Sequence, residues 1–125
     1  QLLAGRLVGA SYESVSLDLL RDPRLLAVPE EFSLKQNFPN PFNPSTTIPF
    51  AVPFAGGNPV AASVEIFNTL GQRVRLLVEG SVQPGYHRVD WDGRDGNGRN
   101  VGSGLYFYRV RVGKTAQVGK MTMIK

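Results

Sequence analysis

Period-two alternation of apolar and polar residues recurs along this chain, and a 3.6-residue period is almost absent. Residues 16–26 would make at most a turn or two of helix, and Pro23 interrupts them. The first alternating run lies near the N-terminus, with Val15, Leu17 and Leu19 on one face and Ser14, Ser16 and Asp18 on the other. Residues 23–31, which contain Pro23 and Pro29, form a linker. Next comes Asn37-Phe38-Pro39-Asn40-Pro41-Phe42-Asn43-Pro44. Its three prolines predict an extended strap outside any hydrogen-bonded ladder, pinned to the domain by Phe38 and Phe42.

Six further strands are predicted, over residues 46–52, 62–68, 73–78, 86–92, 105–112 and 115–124. Ile48, Phe50 and Val52 share one face of the first, and Pro49, which lacks an N–H, predicts that this strand is a sheet edge. Residues 54–59 predict a hairpin loop. Ala62, Val64 and Ile66 are expected inside, with Ser63 and Glu65 outside. Leu70-Gly71-Gln72, Pro84-Gly85 and Gly113-Lys114 mark turns, and residues 92–104, with five glycines, make a long loop. The expected interior is Ile48, Phe50, Val64, Ile66, Val89, Trp91, Tyr106, Tyr108, Met121 and Met123. About seven short strands in one chain predict an all-β antiparallel sandwich with an N-terminal extension strand. The expected division is an extension and linker over residues 1–31 and a sandwich over residues 32–125.

Composition agrees with that architecture. The 125 residues suffice for one domain, 42% of them are hydrophobic, and fourteen Gly with nine Pro suit many tight turns. The net charge of +4 is uneven: beyond Asp95 there is no acidic residue, while Arg99, Arg109, Arg111, Lys114, Lys120 and Lys125 are all basic. No aromatic platform or recognition helix accompanies these cations, so nucleic acid is not an expected partner. Arg109 and Arg111 are expected on the solvated face of a strand. The absence of Cys excludes disulfides and thiolate metal sites, and no run is long enough for a membrane-spanning helix. A chain opening on Gln1 without a signal-peptide pattern is expected to be a processed protein or a fragment of a longer one.

The chemistry-bearing residues are few. His87 is the only histidine, and no nucleophile or second carboxylate is evident beside it, so no catalytic residue is assigned. Asp90, Asp92, Asp95 and Asn97 are oxygen ligands of the kind calcium accepts, but their spacing does not fit an EF-hand loop. Asp and Asn also serve turns by bonding their own backbone, and no metal or cofactor is expected. The glycines of residues 93–98 lack the Lys-Ser/Thr pair of a phosphate loop, and Pro44 spoils Asn43-Pro44-Ser45 as a glycosylation acceptor. Trp91 alternates with Val89, which places it in the core and not on a carbohydrate-stacking surface.

Five phrases, in order, resemble those of the type IX secretion system C-terminal sorting domains, type A. They are Gln36-Asn37-Phe38-Pro39-Asn40-Pro41-Phe42-Asn43-Pro44-Ser45-Thr46-Thr47-Ile48, then Phe67-Asn68-Thr69-Leu70-Gly71-Gln72-Arg73-Val74. Gly85 through Trp91-Asp92-Gly93, Ser103-Gly104-Leu105-Tyr106-Phe107-Tyr108-Arg109, and Lys120-Met121 with terminal Lys125 complete the set. Similar motifs occur in the immunoglobulin-like domains of flagellar hook-capping proteins. The resemblance implies an immunoglobulin-like sandwich on an extracellular or cell-surface protein that is not an enzyme. It also implies recognition by a secretion translocon and a sortase-like peptidase, with Lys120 and Lys125 as candidate contacts.

Two roles are expected from these readings. In the first, the chain is a surface or filament-forming subunit whose partners are other copies of itself, joined through the strand of Val15, Leu17 and Leu19. In the alternative, it is a secretion and attachment signal cleaved from a larger exported protein.

Overall fold

The computed structural model describes residues 31–54 and 56–125. The segment carrying Val15, Leu17 and Leu19 lies outside the described residues, and so does the linker up to residue 30. Seven strands follow in chain order: β1 (Ser33–Leu34), β2 (Thr46–Val52), β3 (Val60–Phe67), β4 (Arg73–Val82), β5 (Gly85–Trp91), β6 (Gly104–Val112) and β7 (Thr115–Met123). They form a three-stranded sheet, ordered β1-β2-β5, and a four-stranded sheet, ordered β4-β3-β6-β7. Every pairing is antiparallel. The all-β sandwich expected from the alternation is the fold observed.

The two inner faces make one core. Ile48, Phe50 and Val52 of β2 meet Val64 and Ile66 of β3 and Tyr106, Tyr108 and Val110 of β6. Of the ten residues expected inside, nine are buried, and Val89 is half-buried against the cluster. Trp91 is 0% exposed, with Phe42 tilted against it at 5.7 Å and Tyr106 edge-on at 5.4 Å. Its Nε1 donates to the Arg94 carbonyl at 2.9 Å, which satisfies the indole N–H. Gly93 follows Trp91 by two residues because its φ is +76° and a Cβ there would meet the Pro44 carbonyl oxygen at 2.7 Å.

The structure corrects four expectations. Residues 54–59 do not close a hairpin: β2 and β3 belong to different sheets, so this loop crosses between them. Both strands turn their apolar faces toward one core, and they do so from opposite sheets of the sandwich. Pro49 does not mark an edge, because β2 lies between β1 and β5. The Asn37–Pro44 strap is not uniformly extended; bends occupy residues 39–41 and 43–44, and all three X–Pro peptide bonds are cis. Phe38 bridges to Thr47 and Phe42 to Met123, so the strap is bonded to both sheets. Finally, Arg109 is half-buried and ion-paired, whereas Arg111 is exposed as expected.

Candidate functional site

Backbone accounting locates the surface that remains to be paired. Lys35 N–H donates to the Pro49 carbonyl, and Phe38 and Thr47 exchange both of their backbone bonds. Thr47 and Pro49 therefore face β1 and the strap, while Thr46, Ile48, Phe50 and Val52 face β5. Their partners across the ladder are Trp91, Val89, His87 and Gly85. Alternation then turns the N–H and C=O groups of Tyr86, Arg88 and Asp90 away from the sheet. Among the described residues, no hydrogen bond reaches those six groups. Their side chains are exposed, Tyr86 by 64%.

Opposite this edge, the inner face of β4 is poorly covered. Leu77, Val78 and Val82 pack against the core from its rim, yet none of the ten residues of β4 is buried. Gly80, paired with the inward-facing Ala62, is exposed, and a Cβ there would meet nothing within 4 Å. The cause is topological. Among the described residues a sheet of three strands faces a sheet of four, and no strand of the smaller sheet lies beyond β5.

Of the outer strands of the four-stranded sheet, β4 is met at Val74, whose carbonyl accepts from Gly96 N–H, and β7 is closed over half its length. Along β7, Gln36 Nε2 donates to the Lys120 carbonyl at 3.0 Å, and Phe42 N–H to that of Thr122. Asn40 Oδ1 accepts from Thr122 N–H, and the Phe42 carbonyl from Ile124 N–H. Tyr108 holds this strap in place. Its hydroxyl donates to the Lys35 carbonyl at 3.1 Å and accepts from Asn37 N–H at 3.2 Å. In a regular ladder the Lys35 carbonyl would accept from residue 49, but proline has no N–H to give. Burial pushes the Tyr108 hydroxyl up from its ordinary pKa, against the opposing pull of the Asn37 N–H, so the donor proton is retained. A Cβ at Gly119, which pairs with Tyr108, would overlap the tyrosine ring.

The remaining polar groups are bound in local structure. Glu65, 9% exposed, takes Arg109 Nε and Nη2 on Oε1, at 3.2 and 2.8 Å, and Arg73 Nη1 on Oε2 at 3.3 Å. Burial pushes the Glu65 carboxyl up, but the hydrogen bonds and charges of the two arginines outweigh it and hold the group below the usual carboxylate range. Arg109 also sits 4.9 Å above the Phe67 ring. Glu65, expected outside, is thus buried beneath its two partners, and the alternation gave no sign of it, because Arg73 lies eight residues on and Arg109 forty-four.

Asp90, Asp92 and Asp95 do not converge. Asp90 accepts from the Thr47 hydroxyl at 2.7 Å, Asp92 from Arg75 and from Arg94 N–H, and Asp95 from the N–H groups of Asn97 and Arg99. The backbone bonds from Arg99 and Asn97 hold Asp95 below its ordinary range, with burial opposing. Among the described residues no three His, Asp or Glu side chains come together as a metal site would require. His87 is half-buried, stacked at 5.4 Å on Phe50, with Nε2 2.6 Å from the Gln83 carbonyl. Lys120 and Lys125 are exposed at the C-terminal end of the β7 side, held by backbone contacts to Gln36 and Ser103.

Among the described residues, then, an open edge and a bonded strap stand beside no convergent titratable cluster. No curated protein matches the chain. A part of dimeric latent PorU from Porphyromonas gingivalis is 25% identical, with a TM-score of 0.58, over 78% of this chain and 10% of PorU. PorZ, an essential surface component of the type-IX secretion system of the same bacterium, is 26% identical over 74% of this chain and 12% of its own, with a TM-score of 0.47. The chain thus spans about a tenth of either protein's length. Pseudomonas fluorescens alkylpurine DNA glycosylase AlkC, 15% identical over 81% of this chain and 32% of its own with a TM-score of 0.50, shares the fold alone. The FlgD Ig-like domain model matches residues 45–117, from the start of β2 into β7, and the chain belongs to that family of non-enzymatic structural folds.

Proposed function

We propose that this chain is a non-catalytic extracellular module that acts by accepting a strand, as a surface or filament-forming subunit joined to other copies of itself. The edge of β5, unpaired among the described residues, carries this reading, because a seven-residue strand with a row of outward N–H and C=O groups is a template for strand addition. An acceptor edge on β5 and a donor strand elsewhere in the chain make a heterologous contact, which propagates as an open filament unless the rotation closes it. Electron microscopy and sedimentation of the purified chain test it. Regular polymers are expected, and a monomer at high concentration defeats the reading.

The second reading, a sorting and attachment signal, is favoured by the ordered motifs of residues 36–125. In it, the exposed Lys120 and Lys125 meet a translocon or a sortase-like peptidase. Fusing residues 32–125 to a reporter in a type IX-secreting host should then export it. Retention of the reporter inside the cell would remove this reading.

A further inference from the structure

We infer that the edge of β5, unpaired among the described residues, is a slot for a fourth strand of the three-stranded sheet, and that residues 14–20 of this chain are the strand that fills it. The source of that strand rests on the self-assembly reading; the slot does not.

Three observations define the slot. Tyr86, Arg88 and Asp90 offer three rungs of unpaired backbone. Beneath the next strand position lie Leu77, Val78 and Val82, half-exposed aliphatic residues, beside an exposed Gly80 that leaves room for a large incoming side chain. A strand placed about 4.8 Å beyond β5 and about 10 Å above β4 would cover all of them. The open half of β7 is a poorer acceptor. Its inward positions there are Thr115 and Gln117, which gain nothing from an apolar cover, and the ring of Tyr108 already caps Gly119.

Residues 14–20 match the slot in length, alternation and charge. β5 has seven residues, and so does this segment. Val15, Leu17 and Leu19 fall on one face, which would point toward the β4 aliphatics. Ser14, Ser16 and Asp18 fall on the other, beside Tyr86, Arg88 and Asp90, so Asp18 can pair with Arg88. The chain reaches the sandwich at β1, on the opposite edge of the same sheet. Three strand spacings, about 14 Å, separate β1 from the slot. Residues 21–32 can span about 40 Å when extended. The strand can therefore come from a neighbouring copy or from the chain itself, and the test separates these sources.

The chain has no cysteine, so paired cysteines report contacts without background. In the full-length chain, Ser16→Cys would be combined in turn with Tyr86→Cys, Arg88→Cys and Asp90→Cys under mild oxidation. One of the three pairs should form a disulfide at least tenfold faster than Ser16→Cys with Ala116→Cys, the outward-facing rung of β7. A ladder of linked chains on non-reducing electrophoresis supports both the slot and self-assembly. Linkage within single chains supports the slot and overturns self-assembly. If none of the three pairs links, or if the Ala116→Cys pair links as fast, the slot proposal fails. Arg88→Pro provides a second measure, since it removes an N–H that the intact ladder does not use. It should leave the melting temperature within a few degrees while slowing the faster of the Tyr86→Cys and Asp90→Cys linkages at least tenfold. A folded Arg88→Pro variant that links at the parent rate contradicts the proposal.

Discussion

At the scale of single residues, Tyr108 and Pro49 are coupled through an atom belonging to neither, the Lys35 carbonyl oxygen. Tyr108→Phe leaves that carbonyl without its donor and should cost about 1–3 kcal/mol, measured by urea denaturation. In a Pro49→Thr background residue 49 regains an N–H aimed at the same carbonyl, so the loss from Tyr108→Phe should shrink by at least half. Equal losses in both backgrounds would show that the hydroxyl is not replacing a ladder bond. Glu65 provides a pH-dependent case. Its folded pKa lies below the usual range, so its pairing with Arg109 and Arg73 stabilises fully above the unfolded value and is lost as pH falls through the folded one. The stability gap between the parent and Glu65→Gln should therefore narrow as pH is lowered from about 5 to about 3. A gap that stays constant over that window would mean the carboxylate is not held by the arginines.

At the scale of elements, six strands were legible because each buries one face, and burial forces the period-two pattern that the eye can follow. The strand around Trp91 shows the strength of that signal. Its alternation with Val89 put the indole inside, where it is wholly enclosed. Trp91→Ala should cost about 3–5 kcal/mol, and its fluorescence in the parent should resist an aqueous quencher. A fully solvated emission spectrum would overturn the register of β5. β1 was illegible for a matching reason: two half-buried residues carry no period, and only their pairing with Ala51 and Phe50 of β2 makes them a strand. Pro49 misled because an absent N–H marks a free edge only if no other donor takes its place, and Tyr108 comes from 59 residues further along the chain to do so. The β2–β3 loop misled because alternation fixes which face is buried, but not which sheet the next strand joins. In the 92–101 segment, turn chemistry and metal ligation call for the same residues. The carboxylates of Asp92 and Asp95 already accept backbone N–H groups, so a chelator should leave the melting temperature unchanged. A fall of many degrees would assign the loop to calcium.

At the scale of the whole molecule, the described residues make an unequal sandwich, three strands over four, with an aliphatic rim that none of them covers. Leaving that rim in water forgoes hydrophobic stabilisation of about 25 cal/mol for each Å² that a further strand would cover. An open seven-residue edge also invites indiscriminate pairing, which natural sheets block with charge, proline or a covering segment. Arg88 and Asp90 put charge on this edge, but no proline lies within β5. A dedicated strand resolves both problems, and residues 14–20 have the alternation for it. Deleting residues 1–22 should then leave a protein that is folded and monomeric, with fast amide exchange at Tyr86, Arg88 and Asp90. It should also be less stable than the intact chain by the cover it has lost. Adding a peptide of residues 12–22 should slow exchange at those three amides and leave the β7 amides of Ala116 and Val118 unchanged. If the truncated protein instead unfolds, while the intact chain stays monomeric at high concentration, the strand belongs to its own sandwich. Completion of the fold, and not assembly, would then be the work of the N-terminal segment, and the sorting reading would remain.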